Sequence, residues 1–372
     1  VRVALLSPYD GGSHRAWSSG LQRHCAADIE RFSLPARFWK WRMHGGALTL
    51  ARGFPEQPDF DLIVATDMLD LATFLALTRR RTASIPTLLY AHENQLTYPL
   101  PEDPAVGPMR RQAGERDRHY GFINVASMLA ADRVLFNSAY HRDVFLEALP
   151  GFLRHFPDHR EPESVELIAA RAGVLPVGIE VESLTAAEPE GAPPLILWNQ
   201  RWEYDKNPDD FFAALQRRAT AGDRFRVALC GESFARRPRA FERGVEALGD
   251  RVEHAGWLPR DEYTALLGRA DVVLSTAHHE FFGISVIEAI CAGAWPVLPR
   301  RLAYPEVLPT AFHDHCLYED EAGLDRLLRA ALDRRRDDPE RSALTAAMRG
   351  RYDWRVVAPR YDEAFRAAGP AQ

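Results

Sequence analysis

Arg201 and Lys206 stand five positions apart in RWEYDKNP, directly after the apolar run LILWNQ. Two cations in a strand-to-helix loop can converge on a diphosphate, each with about 4 kcal/mol of gross Coulomb attraction at ~4 Å and an effective dielectric of ~20. There they would stabilise charge as it develops on a leaving group. The alternative is a solvated surface pair. Scarcity favours chemistry, because Lys40 and Lys206 are the only lysines among 46 cations.

A second group is EFFGISVIEA, with Glu280 in a loop and Glu288 about one turn into the following helix. Their spacing lets two carboxylates address different parts of one extended ligand. Phe281, Phe282 and Gly283 would offer backbone N–H groups at a helix start, suited to sugar hydroxyls or phosphate. Read blandly, Glu280 caps the helix and Glu288 is solvated. The third group, YAHENQ, sets His92, Glu93, Asn94 and Gln95 at a strand end with Tyr98 close behind. Such a density of hydrogen-bonding groups marks a site more readily than a lone histidine would. Near the N-terminus, SPYDGGSH (Ser7 to His14) puts two glycines before a helix. A tight turn or an anion-binding turn would both look like this, and neither the dinucleotide nor the Walker pattern is matched.

Arg37, Phe38, Trp39, Lys40, Trp41 and Arg42 alternate cations with aromatics. That composition suits phosphates and stacked bases, or a half-buried strand with one charged and one aromatic face. Arg110, Arg111, Arg116, Arg118, Arg154 and Arg160 could extend a basic surface, although acids interrupt them. The clusters at His155 to Arg160 and His313 to Cys316 contain metal-ligand residue types without a zinc spacing, so no metal is expected. Glu203, Asp205, His278 and His279 form no diagnostic arrangement. Neither a serine nucleophile elbow nor an H-E-x-x-H motif occurs.

The elements that must position these groups alternate short β-branched runs with stretches of helical period, as in parallel sheets built from βαβ units. Strands are expected at 1–7, 61–66, 86–91, 132–137 and 174–178, with helices near 16–30, 68–80, 118–131 and 140–149. A second series has strands at 195–199, 225–230, 252–255, 271–276, 295–298 and 316–318. Its helices fall near 209–221, 239–248, 260–269 and 284–292. Between the series, 182–194 is rich in Pro, Ala and Glu and reads as a linker. Length agrees: 372 residues exceed what one core usually organises. In doubly wound folds ligands sit beyond the carboxyl ends of the strands, so two facing domains would form an interdomain cleft.

Composition excludes several classes. A formal charge of −6 supplies no bulk field for polyanions, so any nucleic-acid contact must come from a local patch. No apolar run of about 18 residues exists to span a bilayer. The opening strand followed by a glycine turn does not read as a signal peptide. Four scattered cysteines without a C-x-x-C pair fit buried free thiols in a reducing, cytoplasmic setting. Nothing fixes an oligomeric state.

Arg201 with Lys206, and Glu280 with Glu288, together resemble the donor-binding signature of the family 4 retaining glycosyltransferases. Their GT-B fold has two Rossmann-like doubly wound domains facing an interdomain cleft. The terminal stretch from Tyr352, Asp353, Trp354 and Arg355 to Phe365 resembles that family's last helix, which returns to the first domain. GGSH at 11–14, FWKWR at 38–42, HENQLTYP at 92–99, FNS at 136–138, PDHR at 157–160, RWEYDK at 201–206 and TAHHEFFG at 276–283 resemble the tRNA-queuosine α-mannosyltransferases in particular.

The resemblance implies an acceptor (tRNA) domain over 1–181, the linker 182–194, a sugar-nucleotide domain over 195–350, and a returning helix over 351–372. It further implies transfer of mannose from GDP-mannose to the cyclopentenediol of queuosine in the anticodon loop of tRNA for aspartate. By position, Gly12, Ser13, Arg201 and Lys206 would hold the diphosphate and Glu288 the ribose. Glu280 and the backbone of Phe281 to Ile284 would hold the sugar, with His92 near the reacting centre. Acceptor contacts would fall to His14, Arg37, Trp39, Lys40, Trp41, Arg42, Asn94 and His159. Retention would follow from front-face attack without metal or cofactor. Two alternatives remain: a glycosyltransferase of this fold using another sugar nucleotide and a small-molecule, lipid or polysaccharide acceptor, or a non-catalytic tRNA- or nucleotide-binding protein.

Overall fold

A computed structural model describes residues 1–98, 118–186, 191–232 and 239–369. Chain contacts divide it into two units, Val1–Gly178 with Trp354–Gln372, and Ile179–Asp353. The first unit holds strands β1 (Arg2–Asp10), β2 (Asp28–Pro35), β3 (Leu62–Thr66), β4 (Thr87–Ala91), β5 (Arg133–Phe136) and β6 (Ala172–Val174), in the order β2-β1-β3-β4-β5-β6. Every pairing is parallel. All five residues of both β3 and β4 are buried, as strands covered by helices on both faces require.

The second unit repeats the plan with β7 (Leu195–Trp198), β8 (Arg226–Cys230), β9 (Val252–Gly256), β10 (Val272–Leu274), β11 (Trp295–Pro299) and β12 (Leu317–Tyr318), in the order β12-β11-β10-β7-β8-β9. In each sheet the order doubles back beside the first strand, β1 or β7, so the expected doubly wound architecture is present twice. Among the described residues no helix is long and apolar enough to cross a membrane. All four cysteines are free thiols, three of them buried.

Three local expectations are corrected. The helix expected over 16–30 instead spans Gly12–His24 and gives way to β2. β2 lies at the edge of its sheet, where charged Asp28, Glu30 and Arg31 are tolerated, so its sequence lacks the apolar run that marks central strands. The strand expected over 174–178 is Ala172–Val174. FWKWR is not a strand: Phe38 takes a left-handed conformation (φ 52°) and a helix runs over Trp39–Gly53.

Residues 179–184 are built into the second unit. The Ile179 amide donates to Tyr352 O at 2.7 Å, and Arg349 donates to the carbonyls of Cys291 and Leu184. The helix Trp354–Ala368 belongs to the first unit. Trp354 is fully buried against Gly20 and Gly178, where a Cβ would come within 2.3 Å of its ring. Burial of so large a side chain is worth about 3 kcal/mol, enough to anchor a terminal helix.

Candidate functional site

In the second unit the groups predicted from sequence gather at the strand ends. β7 leads into the loop carrying Arg201, a 3-10 turn over Tyr204–Lys206, and Asn207 in the left-handed region (φ 53°). Asn207 caps the helix Pro208–Thr220, its side chain accepting the Asp210 amide. Lys206 is 5% exposed, and its Nζ donates to His279 O at 2.6 Å and to Glu280 Oε2 at 3.3 Å. Asp205 Oδ2 lies 3.3 Å away. The solvated reading of this lysine is therefore overturned.

Arg201 is half-exposed and pairs with Glu203 at 3.3 Å. Burial pushes the Glu203 carboxyl up, opposed by Arg201 and Lys206. Both cations also act on His279, whose pKa falls to about 4 through burial and then through Lys206. Arg201 and Lys206 thus share one electrostatic neighbourhood in which a neutral imidazole lies beside two cations.

Glu280 does two things at once. Its Oε2 meets Lys206, while Oε1 accepts the amides of Gly283 (3.0 Å) and Phe282 (3.4 Å). Gly283 opens the helix Ile284–Cys291 with φ 86°, a conformation that glycine adopts without strain. Burial raises the Glu280 carboxyl, but Lys206, His279 and the Phe282 amide outweigh it and hold its pKa below the ordinary value. The carboxylate is ionised, and two amides expected to face a sugar are occupied by it instead.

Glu288 is not solvated. Its Oε1 pairs with Arg260 at 2.8 Å and its Oε2 accepts from the Tyr263 hydroxyl at 3.2 Å, and burial raises its pKa. Gly231, at the end of β8, passes so close to Gln200 that a Cβ would lie 2.1 Å from the Gln200 carbonyl oxygen.

In the first unit, β1 delivers Asp10 and the glycine turn. Gly12 has φ 50°, and it and Ser13 are exposed at the start of the helix Gly12–His24, open to an anion. His14, one position on, is buried. His92 follows β4 and is also buried, and burial takes its pKa down to about 3. Its ring lies 4.2 Å from that of His14, 4.7 Å from Trp17 and 4.8 Å from Tyr90. Asp67, after β3, accepts the His92 amide on Oδ1 at 2.8 Å. Burial raises the Asp67 carboxyl to about 6, opposed by His14 and by the amides of His92, Asp67 and Glu93.

Among the described residues His14, Asp67 and His92 bring donor atoms within 4.8 Å of one another. The His14 and His92 rings are tilted by 35° to one another. Asn94 is wholly buried, and its Oδ1 accepts from Leu96 N, Thr97 N and Thr97 Oγ1, which folds its own loop.

The cation-aromatic segment divides by exposure. Trp39 packs against a small cluster of Met43, Met68, Tyr120 and Ile123. Lys40 lies over the Trp39 and Tyr120 rings at 5.5 and 5.6 Å. Phe38 and Trp41 are 78% and 64% exposed, large apolar surfaces next to exposed Arg37. Arg42 is half-buried and donates to Pro35 O at 3.2 Å. Arg118, Arg154, His159 and Arg160 are exposed. Arg110, Arg111, Arg116 and the Pro99 end of HENQLTYP lie outside the described residues.

Sequence reasoning missed Asp67 and the partners of Glu288, Arg260 and Tyr263, and saw no arrangement in Asp205 and His279. Asp67 had a usable signal: a carboxylate closing the strand-like run LIVATD, four apolar residues and a threonine before it, at the end where ligands collect.

The comparisons divide where the structure does. Residues 2–179 match the tRNA-queuosine alpha-mannosyltransferase N-terminal family, and residues 183–343 match the glycosyl transferases group 1 family. A tRNA-queuosine alpha-mannosyltransferase of Drosophila melanogaster is 37% identical over 82% of this chain and 81% of its own length. A GDP-mannose:cellobiosyl-diphosphopolyprenol alpha-mannosyltransferase of Xanthomonas campestris is 25% identical over 54% of this chain and 53% of its own. Among solved structures, sucrose-phosphate synthase from Thermosynechococcus elongatus superposes with a TM-score of 0.69, covering 98% of both chains at 15% identity. The two six-stranded units are those of a GT-B glycosyltransferase.

Proposed function

The chain belongs to the tRNA-queuosine alpha-mannosyltransferase family, and from that premise we propose that it transfers mannose from GDP-mannose to the cyclopentenediol of queuosine in the anticodon loop of tRNA for aspartate. The observation that carries the reading is the buried Lys206 ammonium, held by Glu280 Oε2 while Glu280 Oε1 sits on the Gly283 amide. A fixed cation joined through one carboxylate to a helix start suits a sugar attached to a diphosphate. The Xanthomonas relative, whose name contains GDP-mannose, supports that donor.

In this reading Arg201 and Lys206 receive the charge that grows on the diphosphate as the glycosidic bond breaks, and Gly12 and Ser13 form an anion-binding turn. Glu280 and the turn over Phe281 to Ile284 orient the sugar, and Glu288 takes the ribose in place of part of its contact with Arg260. An α-linked product from an α-linked donor means retention. The acceptor hydroxyl then attacks the face from which the diphosphate departs and loses its proton to the leaving phosphate. The positive charge of Arg201, Lys206 and the helix starts serves where a metal would otherwise be needed. His92 makes a hydrogen bond to a substrate hydroxyl. Arg37, Lys40 and Arg42 meet phosphates of the tRNA, and Trp41 with Phe38 stacks on unpaired bases.

Incubation with radiolabelled GDP-mannose and tRNA, with or without queuosine, tests the assignment. Label should enter the queuosine-containing tRNA alone. Equal labelling of unmodified tRNA, or label in neither, refutes it.

A further inference from the structure

His92 is held more firmly than a surface histidine needs to be. Three rings wall it, those of His14, Trp17 and Tyr90. Two of the walls are themselves anchored: the Trp17 indole donates to the Tyr361 hydroxyl at 2.9 Å, which donates to Pro176 O at 3.1 Å, and the Tyr90 hydroxyl donates to Leu175 O at 2.8 Å. The backbone on either side is pinned by asparagines. Asn137 Nδ2 donates to His92 O at 2.8 Å, and Asn124 Nδ2 donates to Asp67 O at 2.9 Å.

Within this cage the His92 side chain is 6% exposed, yet among the described residues neither ring nitrogen has a hydrogen-bond partner. Leaving such a group unsatisfied costs about 1–3 kcal/mol, a cost retained where a ligand supplies the missing partner. Asp67 Oδ1, already fixed by the His92 amide, stands 3.5 Å from Nδ1, just beyond a good hydrogen bond.

We infer that Asp67 is a positioning residue for the transfer reaction: its carboxylate draws the His92 proton to Nδ1 and so leaves Nε2 as a lone pair that accepts a hydrogen bond from a substrate hydroxyl. The inference rests on the reading proposed above and adds the tautomer. A carboxylate behind an imidazole selects which nitrogen is protonated, and the opposite nitrogen then has the reverse hydrogen-bonding sense. With the proton on Nε2, the ring would present a donor where the chemistry needs an acceptor. The 3.5 Å gap closes as the hydroxyl settles on Nε2 and makes the ring more acidic at Nδ1.

The test compares the wild-type enzyme with Asp67→Asn and Asp67→Ala. Asparagine keeps an oxygen for the His92 amide, and alanine removes it. Transfer of mannose to queuosine-containing tRNA should show kcat lowered about 100-fold in Asp67→Ala and less in Asp67→Asn, with KM for GDP-mannose little changed. Nitrogen NMR of the histidine rings, with the His92 signals assigned by their loss in His92→Gln, should report the Nδ1–H tautomer in the wild type. It should report a shift towards Nε2–H in Asp67→Ala. A merely structural aspartate would alter melting and leave the tautomer unmoved. An Nε2–H tautomer in the wild type overturns the inference, even should Asp67→Ala fail to fold. A wild-type kcat in Asp67→Ala overturns it too. A wild-type enzyme with no transfer at all refutes the proposed function, while the tautomer still decides the role of Asp67.

Discussion

At the residue scale, Lys206 stands between Asp205 and Glu280, the first carboxylate only 1% exposed and the second 18%. Removing the ammonium leaves a buried carboxylate uncompensated and, in the proposed reaction, also deprives the diphosphate of a cation. Lys206→Met should lower kcat about 100- to 1000-fold in transfer assays and cost roughly 3 kcal/mol in thermal denaturation. Adding Glu280→Gln should recover part of the stability and none of the activity. A Lys206→Met enzyme with wild-type kcat would remove the lysine from the reaction.

Asp67 gives a pH signature. Burial lifts its folded carboxyl from 3.8 to about 6, so its ionised form is the costly one. Near pH 3 it is protonated folded or unfolded and costs nothing; above about 6 it is ionised in both states and the burial cost is complete, about 3 kcal/mol. The stability of Asp67→Asn relative to wild type should therefore rise between pH 4 and pH 7, as followed by denaturant unfolding. A gap independent of pH would mean that Asp67 carries no such burden. Lys206, Glu280 and Glu288 stood out as candidates because Arg201 and Lys206 share one short loop and Glu280 and Glu288 share one loop-to-helix segment, although their partners did not. Asp67 did not stand out, because it meets His92 across adjacent strands, 25 residues away in sequence.

At the element scale, the turn before Ile284–Cys291 depends on one glycine. A Cβ at Gly283 would meet Tyr304 at 3.4 Å and Glu280 at 3.5 Å, close but tolerable, so the obstacle is φ 86° and not space. Gly283→Ala should cost about 1–2 kcal/mol in a melt and raise KM for the donor, because the Glu280 oxygen that holds the turn must move. Unchanged donor KM would separate the turn from donor binding. Central strands such as LIVAT and LILW could be read as uninterrupted apolar runs, whereas β2 could not, its charged edge resembling a helix face. The start of the Trp39–Gly53 helix was hidden for a related reason: alternating cations and aromatics mimic strand periodicity, and Phe38 is left-handed just before the helical period begins.

At the scale of the whole molecule, a net charge of −6 must be reconciled with a polyanionic acceptor. Only a local cluster can do so, and salt should expose it. Lys40→Ala with Arg42→Ala should weaken tRNA binding while leaving GDP binding intact. It should also reduce the slope of log affinity against log salt by about 1.4, the value for two lost contacts to a single strand. An unchanged slope would place the tRNA elsewhere. The architecture was legible in the alternation of strands and helices, but the side chains exposed on that surface were not, since exposure depends on the packing of Tyr120 and Met43 beneath it. Mass spectrometry of nucleosides digested from queuosine-containing tRNA, after incubation with GDP-mannose and enzyme, tests the whole reading most directly. Queuosine should be replaced by a nucleoside one hexose heavier, released by an α-mannosidase and absent with Lys206→Met; unmodified queuosine, or a hexose on any other nucleoside, would contradict it.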